Sequence, residues 1–304
     1  MFLRLVFRPL CLLFLLLVSG APLWAETQAA PATGTATGTV TTPAPATDPD
    51  APPMIPDIAR VIDKGQLVVA MTSFDNPPFY GGEADHLTGI DVSLAQDIAD
   101  ALGVALVFDR SAETFNDVVN KVALGQADIA VSKVSRTYAR SRIVAFSEPY
   151  VTLRHALVFN RLKLAQRAQG REIAEVVRDF DGTLGVIENS SFANFAKQRF
   201  PKAEVVAFKS WDEVVEATIS GAVEASYRDE FEIRKIAVDK PDATISLRTV
   251  TISDARDSIA VVVPWSSPGL LAMVNQVIDN RPNRMTADTL IDLYRASTET
   301  EGEH

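Results

Sequence analysis

Two stretches decide the fold: L-T-G-I-D-V-S-L-A-Q-D-I-A-D-A-L-G at residues 87–103 and G-Q-A-D-I-A-V-S-K-V-S-R-T-Y-A-R-S-R-I-V-A-F-S-E-P-Y at residues 125–150. In the first, Leu94, Ala95, Ile98 and Leu102 recur at helical spacing and Gly103 ends the pattern. In the second, D-I-A-V-S reads as a short buried strand. Upstream, a strand runs from Gln66 through Q-L-V-V-A-M, and between the two stretches V-A-L-V-F is another strand. A helix follows from about Asn116 to Leu124, ended by Gly125. Such alternation predicts an α/β fold built on a parallel sheet. The pattern restarts after a connecting run, H-A-L-V-F. It continues with strand T-L-G-V-I, a helix from Ser191, strand E-V-V-A-F, and a helix opened by S-W-D-E, where Ser210 and Glu213 have capping-box spacing. Strand runs V-E-A-S-Y, A-T-I-S-L and S-I-A-V-V-V and two helices close the chain. Two α/β units joined by two extended strands make a hinged pair, and ligands bind such pairs in the cleft at strand C-termini.

The chain has 304 residues, 29 Lys plus Arg and 39 Asp plus Glu, a net charge of −10 that argues against a nucleic-acid partner. A hydrophobic fraction of 47% excludes wholesale disorder. At the N-terminus, Arg4 and Arg8 precede an apolar run and small residues approach Ala25, so residues 1–25 read as a signal peptide and the protein as periplasmic. The apolar run from Leu10 to Val18 is too short to span a bilayer. Cys11, the single cysteine, lies in that segment, which leaves the mature chain without disulfides or thiolate chemistry. Residues 26–56 hold seven of the 17 prolines and no cation, and are expected to form an Ala/Thr/Pro-rich tether without secondary structure. Two lobes are expected, 57–155 with 261–304 and 156–260 between them. The three histidines have no metal-ligand partner at helical spacing, and neither G-x-S-x-G nor H-E-x-x-H occurs.

The two opening stretches resemble the family 3 extracellular solute-binding proteins, amino-acid receptors of ABC importers, with agreement from about Gln66 to Tyr294. The resemblance implies a two-lobed clamshell, a ligand-binding function without cofactor, a monomer, and an inner-membrane ABC permease as partner. It assigns Arg140, in the T-x-x-R segment with Thr137, to fork onto a ligand carboxylate, a task that suits a planar guanidinium better than an ammonium. Ser132 and Ser135 align with polar positions holding the same carboxylate. Lys133 replaces a small residue there; it either points out of the cleft or adds a second positive charge, which would favour an acidic side chain or a dicarboxylate. In the second lobe T-L-G-V-I-E-N-S-S-F resembles the strand and turn presenting backbone N–H groups, with Ser190 and Ser191 at a helix start that favours anions. The same serines also suit simple capping. Asn189 stands where glycine is usual and tolerates positive φ. Asp229 is assigned to the ligand α-ammonium, although Arg228 beside it could pair with it instead. Phe115 is assigned as an aromatic platform, with Phe74 as a second aromatic from the loop after the first strand.

An enzyme is the rival expectation, because some members of this fold act as dehydratases on cyclohexadienyl carboxylates. In that case a carboxylate such as Asp229 or Glu188 would serve as acid or base. Others are regulatory modules.

Overall fold

The computed structural model describes residues 52–83, 86–281 and 285–301. The expected signal peptide and all but the last residues of the expected tether lie outside these. Pro56, assigned to the tether, is instead the first residue of helix α1 (Pro56–Lys64), where its fixed φ and missing N–H are harmless. Helix α1 ends at Gly65 with φ 72°.

The first sheet is built from β1 (Gln66–Thr72), β2 (Ala105–Ala112), β3 (Ile129–Ala130) and β4 (Ala145–Phe146). Helices α2 (Ile90–Leu102) and α3 (Phe115–Ala123) link its parallel strands. The chain then enters β5 (Val151–Asn160), helices α4 (Arg161–Ala168) and α5 (Ile173–Arg178), β6 (Thr183–Ile187), α6 (Ser191–Arg199), β7 (Glu204–Phe208), α7 (Trp211–Ser220), β8 (Ala225–Asp229) and α8 (Glu230–Asp239). It returns along β9 (Leu247–Ile259) to β10 (Val262–Val263) and helices α9 (Pro268–Asn280) and α10 (Ala287–Glu301).

Two five-stranded sheets result, ordered β2-β1-β3-β10-β4 and β7-β6-β8-β5-β9. Each contains a parallel trio, but neither is wholly parallel as expected: β10 runs antiparallel to β3 and β4, and β5 antiparallel to β8 and β9. The physical reason is that β5 and β9 carry the chain between the lobes in opposite directions and pair with each other from Val151↔Ile259 to Asn160↔Leu247. Strands change sheet between Phe146 and Val151 and again between Ile259 and Val262. The outgoing crossover strand therefore starts before His155, because Val151 and Leu153 already alternate inward.

Each sheet carries its own core. Leu67, Val69 and Met71 of β1 pack with Leu94 and Ile98 of α2, Leu270 of α9 and Leu290 of α10, while Val118 and Val122 of α3 cover the opposite face. In the second lobe Phe159, Phe180, Phe192, Phe200 and Tyr227 form a buried aromatic cluster with edge-on contacts. One expected strand is absent: A-T-I-S-L begins inside a 3₁₀ turn, Pro241–Ile245, and β9 starts only at Leu247. Pro241 has no N–H for a ladder, and the Thr244 hydroxyl donates to its carbonyl at 2.6 Å, which favours the turn. Ser210 accepts from the Glu213 N–H as expected, but the Glu213 carboxylate accepts from the Lys209 N–H, one residue ahead of the capping-box donor.

Candidate functional site

The backbone converges on a narrow cleft lined from the first lobe by Phe115, Lys133, Ser135 and Arg140, and from the second by Ser190, Ser191, Phe192, Arg228, Asp229 and Asp257. Seven of the nine residues singled out in the sequence line it. Phe115 opens α3, whose start is fixed by a full capping box: Thr114 accepts from the Asp117 N–H, and Asp117 accepts in return from the Thr114 N–H. Phe74 does not line the cleft; it is 43% exposed and stands edge-on to Phe115, with centroids 5.7 Å apart. Ser132 is also absent from the lining. Its hydroxyl lies beneath β1 and accepts from the Thr72 N–H at 3.2 Å, so it ties strands together.

Arg140 begins a short 3₁₀ turn, and its backbone N–H donates to the Thr137 hydroxyl at 3.2 Å. Spacing T-x-x-R therefore serves as a local brace that aims the side chain. The guanidinium donates through Nε and Nη2 to Asn116 Oδ1, at 3.2 and 3.0 Å, and through Nη1 to the Ser135 carbonyl at 3.0 Å. These acceptors are neutral, and among the described residues Arg140 makes no ion pair. Burial lowers it to about 10, still charged at neutral pH, while the charge of Asp257 acts in the opposite sense. Its direct hydrogen-bond acceptors are neutral, which leaves the guanidinium able to take an anion.

Ser135 joins the lobes. Its hydroxyl lies 2.8 Å from the Ser191 hydroxyl and donates to Asp257 Oδ2 at 2.9 Å. Ser190 caps α6, accepting from the Ala193 N–H and donating to the Ile187 carbonyl, so capping and cleft lining coexist in one residue. Asn189 has φ 54°, the left-handed conformation anticipated from its residue type.

Lys133, at φ 47°, points into the protein between the lobes. Its backbone N–H donates to Asp91 Oδ2 at 2.7 Å, and its Nζ reaches Glu232 at 2.5 Å and Asp229 at 3.2 Å. Nζ also lies 4.8 Å from the Phe79 ring centroid and 5.0 Å from that of Phe231. Asp229, the N-cap of α8, accepts from the Glu232 N–H, and Arg228 approaches Asp229 at 3.8 Å and Glu232 at 3.5 Å. Burial pushes the Glu232 carboxyl up, but the charges of Lys133 and Arg228 outweigh it and hold the group down to about 2.

Asp257, on β9, was not anticipated. Its Oδ1 has no hydrogen-bond partner, nor does Arg228 Nη1. Burial, then the nearby charge of Asp229, push Asp257 up to about 7. His155, deeper in the second lobe, pairs through Nδ1 with the Tyr227 hydroxyl, and burial draws it down to about 4. The sequence points to Arg228 only as a rival partner for Asp229 and does not single out Asn116 or Glu232 for the site. The α8 spacing that sets Glu232 one turn from Asp229 was available in the sequence. Among the described residues no cluster of three or more His, Cys, Asp or Glu side chains could hold a metal ion, and no helix is long and apolar enough to cross a membrane.

Several known proteins are similar to this chain in sequence or in fold. A crystal structure of an amino acid ABC transporter substrate-binding protein from Streptococcus pneumoniae, bound to L-arginine, is 28% identical and superposes over 79% of this chain and 98% of that one with a TM-score of 0.63. The membrane-bound lytic murein transglycosylase F of Saccharophagus degradans is 30% identical over 143 residues, 46% of this chain and 26% of that protein. The cyclohexadienyl dehydratase of Pseudomonas aeruginosa is 26% identical over 176 residues, 58% of this chain and 63% of that protein. This chain thus spans less than two thirds of those two relatives. Residues 67–296, covering both sheets, match one family along their whole length, and the chain belongs to the bacterial extracellular solute-binding proteins, family 3.

Proposed function

We propose that this protein is a periplasmic receptor that captures a small carboxylate-bearing solute by closing its two lobes, and delivers it to an ABC permease of the inner membrane. One observation carries the reading: Arg140, a buried cation at the cleft with neutral acceptors only, lies beside serines of both lobes. A carboxylate between them would complete the charge of Arg140 and engage the second lobe only when the hinge is shut, so binding shifts the population toward the closed form a permease can read. The relative bound to L-arginine makes amino acids the first solutes to test. A thermal-shift screen against amino acids and simple organic acids tests it: a true ligand at a hundred times its dissociation constant adds about 2.7 kcal/mol of stability.

A dehydratase-like enzyme is the second reading. Asp257, raised to about 7 at the cleft wall, has the poise of a general acid or base at neutral pH. Chemical change of a stabilising acid during incubation, lost on Asp257→Asn, would support it.

A further inference from the structure

The charges around the cleft are unequal in what they leave free. On the acidic side, Asp229 and Glu232 share the internal ammonium of Lys133 and the Arg228 guanidinium, and the Lys133 cation is further boxed by the faces of Phe79 and Phe231. Asp257, the third acid, accepts from Ser135 and keeps one oxygen without a partner. On the basic side, Arg140 has no carboxylate in contact among the described residues, and Arg228 Nη1 has no acceptor. A zwitterion entering this site would satisfy Arg140 but find Asp229 and Glu232 already holding cations, which leaves Asp257 as the single cleft acid with an unpaired oxygen.

Building on the receptor reading above, we infer that the cleft selects small monocarboxylates without an α-ammonium group, such as 2-oxo or 2-hydroxy acids, because Lys133 already fills the place of the ligand's positive charge. Lys133 is no surplus cation that would call for a dicarboxylate, because two carboxylates neutralise it. Asp257, raised to about 7, is protonated often enough near neutrality to present an O–H to an incoming carboxylate or oxo oxygen, where an ionised acid would repel it.

The test is calorimetry of the purified protein with matched probes that differ only at the α-carbon: pyruvate and L-lactate against L-alanine, and phenylpyruvate and phenyllactate against L-phenylalanine. Binding of the oxo or hydroxy acid at least tenfold tighter than its amino acid is expected; equal or tighter binding of the amino acid overturns the inference and leaves the receptor reading standing. Absence of binding by every acid, amino acids included, overturns the receptor reading and the inference with it. Lys133→Ala, shown to be folded by circular dichroism, should reverse the preference at least tenfold toward the amino acid, because Asp229 and Glu232 are then open to an ammonium. Unchanged selectivity in that variant also refutes the role given to Lys133. The wild-type comparison needs no variant, so a Lys133→Ala protein that fails to fold does not remove the test.

Discussion

Replacing Asp257 with asparagine should stabilise the protein at alkaline pH and leave it nearly unchanged in acid. The side chain is buried, its Oδ1 has no partner, and it sits within reach of the Asp229 charge, so its ionised form is disfavoured and its carboxyl rises from 3.8 to about 7. Between those values the folded state holds a proton that the unfolded state has lost. Unfolding then releases a proton, and the contribution of this group to stability falls by about 1.36 kcal/mol per pH unit as pH rises through the window. Over roughly three units the total reaches about 4 kcal/mol, an upper bound because water entry and relaxation lower it. Asparagine keeps the acceptor for the Ser135 hydroxyl and mimics the neutral acid. The unfolding free energy of Asp257→Asn, measured by urea denaturation from pH 4 to pH 8, should match the wild type near pH 4 and exceed it increasingly toward pH 8. A difference that stays constant with pH would refute the reasoning, because it would mean that Asp257 titrates alike in both states.

Other outcomes follow from the same contacts. Asn116→Ala removes the acceptor that holds two guanidinium nitrogens of Arg140, and should weaken carboxylate binding about tenfold, or about 1.4 kcal/mol, without altering the circular dichroism spectrum. Thr114→Ala breaks the capping box at the start of α3 and should cost about 1 kcal/mol, read as a lower thermal midpoint at an unchanged spectrum. His155 is drawn down to about 4 by burial, so it must take up a proton on unfolding below its ordinary 6.5; its contribution is lost as pH falls from 6.5 to 4, and His155→Phe should flatten the decline of stability in that window. Gly89, at φ 124°, leaves a Cβ only 2.3 Å from the Phe79 carbonyl oxygen, so Gly89→Ala should displace the start of α2 and lower the midpoint by several degrees.

The local geometry legible in the sequence is that set by short spacing. T-x-x-R aims Arg140 through a bond between residues three apart, Ser190 caps α6 where the turn ends, and Asn189 occupies the left-handed conformation its residue type permits. Features set by distant parts of the chain were not legible. Asp257 meets Ser135 across 122 positions, a contact made only when β9 lies beside β5. Whether Lys133 points in or out depended on its positive φ and on a bond to Asp91, neither written in its neighbours. Ser132 and Ser135 look equivalent in sequence, yet β3 ends at Ala130 and the irregular backbone beyond it turns one hydroxyl under β1 and the other toward the cleft. The strand at A-T-I-S-L failed for a local reason, since Pro241 was available to be read as a breaker.

The proposed function stands or falls with Arg140 as the anion receptor of the cleft. Titration calorimetry of the acid that most raises the thermal midpoint, into the wild type and into Arg140→Ala, tests it most directly. Removing one partner of a buried charged contact costs about 2–5 kcal/mol, so affinity should fall at least about thirtyfold while the unliganded variant stays folded. An Arg140→Ala protein that binds the acid as tightly as the wild type would contradict the account and move the binding site elsewhere.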